Sequence, residues 1–340
     1  MSVQKKEAST FFTNDMVMIR NSKAVYALTS CLISPLQASA ATNSLSHSVH
    51  RTTSASAFIG SARARTIKLH TTSRRNMSSS EDAGTSTTTT AADIQANLSE
   101  VQSRITQTVQ ECDLPENSVR LIAVSKTKPI ELLMNVYDAG QRYFGENYAQ
   151  ELMGKAEKMP SDIKWHFIGP LQSNKAAPLV KSLGLKKLAC IETVDTIKLA
   201  NKLNNAVASL KEEQGGDNEG ADADGDRLGI YIQVNTSGED SKSGVNNAAE
   251  CVLLAKEISN ACPHLRINGL MTIGAPGDYS CFDTLAECRK EVAEALSVDV
   301  DKLELSMGMS GDYPEAIKRG ATSVRVGSTI FGARDYSNKK

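Results

Sequence analysis

Between residues 94 and 332 the chain alternates short apolar runs with stretches of helical spacing, and this rhythm restricts the fold more than any other feature. An amphipathic helix comes first: Ile94, Leu98, Val101, Ile105 and Val109 recur at steps of four, three, four and four. Strands are expected at 121–127, 143–147, 165–169, 188–194, 228–235, 267–273, 303–307 and 323–327. Helical stretches separate them at 130–139, 148–158, 177–183, 195–210, 248–259, 279–296 and 313–319. Strands that alternate with helices pair in parallel. Eight such units over about 240 residues match the size of a closed (β/α)8 barrel of the TIM type. An open doubly wound sheet is the alternative, but no G-x-G-x-x-G follows the first strand.

Within this rhythm the first strand is unusual. Leu121-Ile122-Ala123-Val124-Ser125 runs straight into Lys126, and Pro129 closes the segment. Side chains alternate faces along a strand, so Ile122, Val124 and Lys126 share one side. A lysine whose stem is packed and whose amine sits at a mouth is the kind that forms a Schiff base with a carbonyl. Taken alone, the ordinary reading of Lys126 is a solvated lysine ending a strand.

The first eighty-odd residues are a different material. No Asp or Glu occurs from Met16 to Ser80, while Arg20, Lys23, Arg51, Arg63, Arg65, Lys68, Arg74 and Arg75 are spread among Ser, Thr and Ala. That composition is typical of an organellar transit peptide, for a mitochondrion or a plastid. Translation from Met77 would give a cytoplasmic form. Residues 1–90 are therefore expected to be a transit-peptide-like, disordered leader, and 91–340 the barrel. Ala24 to Ala41 is too interrupted by polar residues to span a membrane. The formal net charge of −1 offers no field for nucleic acid. Seven cysteines with no C-x-x-C pair form neither a disulfide framework nor a zinc site. No metal is expected. Residues 211–227, rich in Gly and Asp, read as a surface loop.

Barrel sites lie at the C-terminal ends of the strands. Lys126 ends the first strand and Glu146-Asn147 the second. His166 lies in the third, Asn235 ends the fifth, Met271 lies in the sixth, and Ser310 follows the seventh. Arg325, Gly327 and Ser328 end the eighth. Each has an ordinary explanation by itself: a turn former, a core histidine, half of a salt bridge. Their convergence on one rim is what argues for a site. Loops after the last two strands often hold phosphate in such barrels. Gly308-Met309-Ser310-Gly311 and Gly327-Ser328-Thr329 offer hydroxyls and backbone N–H groups there. A lysine across the mouth from a phosphate site points to pyridoxal phosphate. A sugar-phosphate aldolase uses the same lysine chemistry and stays open at this point.

Seven stretches carry a resemblance. They are Ala123 to Lys128, Phe144 to Tyr148, Trp165 to Lys175, Ser241 to Gly244, Gly269 to Met271, Ser306 to Ser310 and Val324 to Gly332. In this order they resemble the pyridoxal phosphate homeostasis protein family, also called the proline synthase co-transcribed family. The match runs from about residue 92 to Tyr336. The resemblance implies an alanine-racemase-like barrel with the cofactor in Schiff-base linkage to Lys126. Lys128 is the rival lysine, but it lies past the strand beside Pro129. The family pattern places the phosphate around Ser310, Gly327 and Ser328, brings Arg325 to the pyridine nitrogen, and sets Asn147 and His166 near the ring.

The expected role is carriage, buffering and delivery of pyridoxal 5′-phosphate to apo-enzymes by a monomer, not classical catalysis. A racemase needs an acid/base group at the α-carbon. In alanine-racemase-like enzymes a second, β-rich domain supplies a tyrosine, and here only Ala333 to Lys340 follow the last motif. An amino-acid racemase is the alternative.

Overall fold

The computed structural model describes residues 90–215 and 226–333. The expected leader, apart from its last residue, and the centre of the acidic loop lie outside the described residues. Helix α1 (Ala91–Glu111) begins at Thr90, whose hydroxyl accepts the Asp93 N–H while the Asp93 carboxylate accepts the Thr90 N–H. Its buried face is the one the spacing predicts: Ile94, Leu98, Val101, Ile105 and Val109.

Eight parallel strands follow in sequence order and close into a barrel. They are β1 (Arg120–Val124), β2 (Tyr143–Glu146), β3 (Lys164–Phe167), β4 (Leu188–Val194), β5 (Leu228–Gln233), β6 (Leu265–Met271), β7 (Glu304–Met309) and β8 (Ser323–Val326). The helices after them are α2 (Ile130–Asp138), α3 (Ala149–Lys158), α4 (Ser173–Lys187), α5 (Ile197–Glu213), α6 (Ala248–Ala261), α7 (Ser280–Leu296), α8 (Tyr313–Lys318) and the single turn α9 (Ser328–Phe331). The ring closes where β1 pairs with β8, Ile122 opposite Arg325 and Ala123 opposite Val326.

Several boundaries differ from expectation: β5 ends at Gln233, so Asn235 follows that strand instead of ending it, and β6 runs two residues earlier than expected. Strand β1 ends at Val124, not at 127, because Thr127 takes φ 63° and turns the chain before Pro129. Lys126 thus lies in a turn just beyond the strand. Helix α4 starts early, at Ser173, and bends at Gly184, whose φ is 62°. Helix α5 continues to Glu213, so Lys211 to Glu213, expected in the loop, are helical.

Alternation along the strands builds two different environments. Leu121, Ala123, Phe144, Trp165, Phe167, Ile191, Leu305 and Val324 join the apolar shell shared with the helices. Their neighbours in sequence fill the barrel, and many are polar. At its lower end Arg120 grips Glu304 with two N–H donors, at 2.7 and 3.3 Å, and the Tyr231 hydroxyl donates to the same carboxylate. Higher up, His166 Nδ1 lies 2.6 Å from Glu192 Oε1, and Ser306 Oγ donates to Glu192 Oε2 at 2.6 Å. Arg325 donates to Ser306 Oγ at 2.6 Å and to the Thr272 carbonyl at 2.7 Å. Burial pushes the Glu192 carboxyl up, but His166, Arg325 and the Ser306 hydroxyl outweigh it and hold the group below the usual carboxylate range.

Two predictions test this architecture. A Cβ added at Gly269 would lie 1.9 Å from the Glu304 carbonyl oxygen, whereas one at Gly154, on the exposed side of α3, meets nothing within 4 Å. Gly269→Ala should therefore destabilise by about 2–3 kcal/mol, and Gly154→Ala should stabilise by about 0.5–1 kcal/mol. Urea unfolding midpoints measure both. The second concerns acid. Because the folded pKa of Glu192 is depressed, its stabilisation is present above the unfolded carboxylate value and is lost as pH falls through the lower folded value. Glu192→Gln should flatten the fall in unfolding free energy between about pH 5 and pH 2; an acid limb of unchanged slope contradicts the assignment.

Candidate functional site

The rim of the barrel is built from the turns that follow β1, β7 and β8. There a cavity of about 230 Å³ opens, lined by Lys126, Lys128, Ser310, Gly327 and Ser328. Arg325 reaches it from within the barrel, and Val124, Ile168 and Met309 give it an apolar wall. Larger depressions, of about 510 and 860 Å³, lie at the opposite end, among the starts of the strands. That face of a barrel serves stability, and the loops at the other end carry chemistry.

Each rim residue has a local reason for its place. Ser125 still donates its N–H to the Gly145 carbonyl at 3.0 Å, so the chain leaves the sheet only at Lys126. The Ser310 hydroxyl accepts the Gly327 N–H at 3.1 Å and thereby joins the loop after β7 to the loop after β8. Gly327 presses against β1: a Cβ there would come 3.1 Å from the Val124 carbonyl oxygen and 3.2 Å from Val124 Cβ. A side chain at 327 would crowd the very wall that faces Lys126. Gly308 has φ 89°, and a Cβ on it would fall 2.6 Å from Ala316 Cβ, so glycine is required for α8 to sit beneath the loop.

The two lysines are treated differently. The Lys128 ammonium donates to the carbonyls of Phe331 and Ala333, at 2.9 and 2.7 Å, which commits it to the end of α9. Lys126 sits in the turn just beyond β1 and lines the cavity.

The sequence-chosen residues separate into three groups. Lys126, Ser310, Arg325, Gly327 and Ser328 line one cavity. Asn147 follows β2 on the rim but does not line it, and its Oδ1 is buried with no hydrogen-bond partner among the described residues. His166 lies deeper, 2% exposed, edge-on to Tyr143 and bonded to Glu192. It connects to the cavity through Glu192, Ser306 and Arg325.

An amine, a guanidinium, two hydroxyls and an apolar wall fit an aromatic aldehyde that bears a phosphate. Such a group has an apolar ring face, a polar ring edge, an electrophilic carbon and an anionic end, and each finds a counterpart here.

One further grouping inside the barrel has metal-ligand chemistry: His166, Cys190 and Glu192 offer donor atoms within 4.8 Å of one another. His166 and Glu192 are already bonded to each other, and the Arg325 guanidinium lies 3.9 Å from Glu192 Oε2. A cation there would face a fixed positive charge. Burial also pushes the Cys190 thiol well up, against the thiolate that a metal requires.

Sequence reasoning missed Lys155. Its ammonium, 6% exposed, contacts Glu146, Glu151 and the Ser125 carbonyl beneath the Lys126 turn. In the sequence it is one member of an i,i+4 Glu–Lys pair, a pattern normally found on exposed helix surfaces.

The family described as alanine racemase, N-terminal domain, matches residues 92–335. The human pyridoxal phosphate homeostasis protein is 42% identical over 255 residues, covering 71% of this chain and 87% of its own length. The protein of the same name from Vibrio alginolyticus is 44% identical, covering 72% of this chain and 99% of its own length. Among solved structures, PipY of Synechococcus elongatus with PLP bound is 32% identical with a TM-score of 0.53, covering 70% of this chain and all of PipY. An alanine racemase from Clostridium difficile shares the fold at 14% identity and a TM-score of 0.51, over 73% of this chain and 61% of the racemase. Over these shares of sequence, the chain belongs to the pyridoxal phosphate homeostasis protein family.

Proposed function

We propose that this protein binds pyridoxal 5′-phosphate in the cavity at the barrel rim, holds it as a Schiff base on Lys126, and passes it to apo-enzymes as part of PLP homeostasis. The observation that carries the reading is the meeting of Lys126, Arg325 and the Ser310–Gly327 junction around one cavity. When bound, the cofactor would supply an aldehyde carbon that a lysine amine attacks. The protein's own groups would do the rest. Ser310 and Ser328 would hold the phosphate together with backbone N–H groups of their loops, and a hydrogen bond to a charged group contributes roughly 1.5–3 kcal/mol. Arg325, fixed by Ser306 and Thr272, would face the ring nitrogen. Asn147 would satisfy its buried oxygen at the ring edge. Val124, Ile168 and Met309 would cover the ring faces. His166 would act at one remove, by orienting Glu192.

Family membership supports a carrier over an enzyme with turnover. Loaded protein should be yellow and behave as a monomer on gel filtration. Lys126→Ala should lose the near-visible absorbance, while Lys128→Ala keeps it. Mixed with an apo PLP enzyme, the wild type should restore that enzyme's activity, and alone it should not exchange the α-deuterium of amino acids. Enzyme-like exchange with any amino acid would make it a racemase and overturn the carrier reading. Among the described residues, no helix is long and apolar enough to cross a membrane.

We also propose that the acidic-poor leader sends the protein to a mitochondrion or a plastid, with translation from Met77 giving a cytoplasmic form. A fluorescent fusion of residues 1–90 should accumulate in one of these organelles. A fusion spread evenly through the cytosol would refute the import signal.

A further inference from the structure

The turn that carries Lys126 rests on a buried charge centre that the cavity itself does not use. The Lys155 ammonium donates to the Ser125 carbonyl at 2.8 Å, to Glu146 Oε1 at 2.6 Å and to Glu151 Oε1 at 2.6 Å. Glu146 is wholly buried, and its Oε1 also accepts the Ser125 hydroxyl at 2.6 Å. Glu151 Oε1 also accepts the Thr127 N–H at 2.6 Å. Both chain neighbours of Lys126 are therefore tied to one centre, Ser125 through its carbonyl and hydroxyl, Thr127 through its amide.

Thr127 needs such a tie. Its φ of 63° is a conformation that β-branched residues rarely adopt, and it persists only where the surroundings enforce it. The bond from Thr127 N–H to Glu151 is that enforcement, and Lys155 holds Glu151 in place for it. The consequence falls on aim. Lys126 and Lys128 line the same cavity, two residues apart on opposite sides of Thr127. A relaxed turn would let either amine, or neither, point at an aldehyde there.

We propose that Lys155, Glu146 and Glu151 are positioning residues that lock the Lys126 turn, so that an aldehyde in the cavity reacts with Lys126 and not with Lys128. The proposal rests on the reading of Lys126 as the linking lysine. Lys155 reaches neither the cavity nor the cofactor; it acts through the backbone on each side of the reacting residue.

The test uses the full chain and PLP itself. Protein incubated with PLP is reduced with borohydride, digested, and its labelled lysines are mapped by mass spectrometry, with thermal unfolding measured in parallel. Wild type should carry the label on Lys126. In Lys155→Met and Glu151→Ala the rate of labelling at Lys126 should fall about tenfold or more, with a larger share on Lys128, while Lys155→Arg keeps the wild-type pattern. Glu151 is partly exposed, with 23% of its side chain accessible, and Lys155 keeps its pair with Glu146, so Glu151→Ala removes the acceptor of the Thr127 N–H without stranding a buried charge and decides the matter if Lys155→Met does not fold. A purely structural role would lower the unfolding temperature without moving the label, and that result overturns the proposal. Label on another lysine in the wild type would instead refute the Lys126 reading itself.

Discussion

Pairing of the first strand with the last is the interaction on which the rest of the molecule depends. With Ile122 opposite Arg325 and Ala123 opposite Val326, the row that leads to Lys126 is set beside the row that leads to Gly327. Residues two hundred positions apart in sequence thereby share one wall, and Gly327 has no side chain to keep them apart. Slippage of that pairing by one residue would turn each inward side chain outward. The apolar shell under the helices forbids it, because Leu121 and Ala123, or Val324 and Val326, would enter the polar interior.

That interior is itself unusual. Barrels of this type are commonly filled by branched aliphatic layers. Here His166, Glu192, Ser306 and Arg325 occupy the middle instead, each bonded to the next. Buried charges contribute little net stability even when paired, and breaking one pair leaves a costly remainder. What the chain gains is a guanidinium fixed from behind by Ser306 and the Thr272 carbonyl, so that its orientation at the cavity is set before any ligand arrives. Preorganisation of this kind reduces the ordering that binding must otherwise impose.

Much of this was legible in the sequence, for reasons that differ by residue. The alternation of strands and helices is periodic, and periodicity survives without coordinates, so the eight strands and their order could be read directly. Ser310, Gly327 and Ser328 followed from their place after the last strands, and Lys126 from the period of two along β1. Strand ends were less legible, because the turn at Thr127 depends on a carboxylate in α3 and not on its own propensity. His166 was placed by motif, yet a motif fixes position in sequence and not depth in a barrel; its partner Glu192 comes from β4, which carried no signal of function. Lys155 was invisible for a related reason. An i,i+4 pair with Glu151 looks the same whether the helix face is wet or buried, and only the packing of α3 on β2 decides which.

Helix α1 brings in the order of synthesis. It is the first described element of the chain, yet it lies against the last: Asn97 donates to the Ile330 carbonyl across 233 residues of sequence. The seam between β1 and β8 has the same long reach. Contacts of such separation form late, since loop closure must precede any gain from them. A nascent chain lacking β8 and α9 therefore has Lys126 but not the adjoining wall, and neither Gly327 nor Ser328. Ligand binding is thus reserved for the finished molecule. A ligand that binds only the closed ring also draws the folding equilibrium toward closure by mass action, which makes any occupant of the rim cavity a participant in the maturation of the protein that binds it.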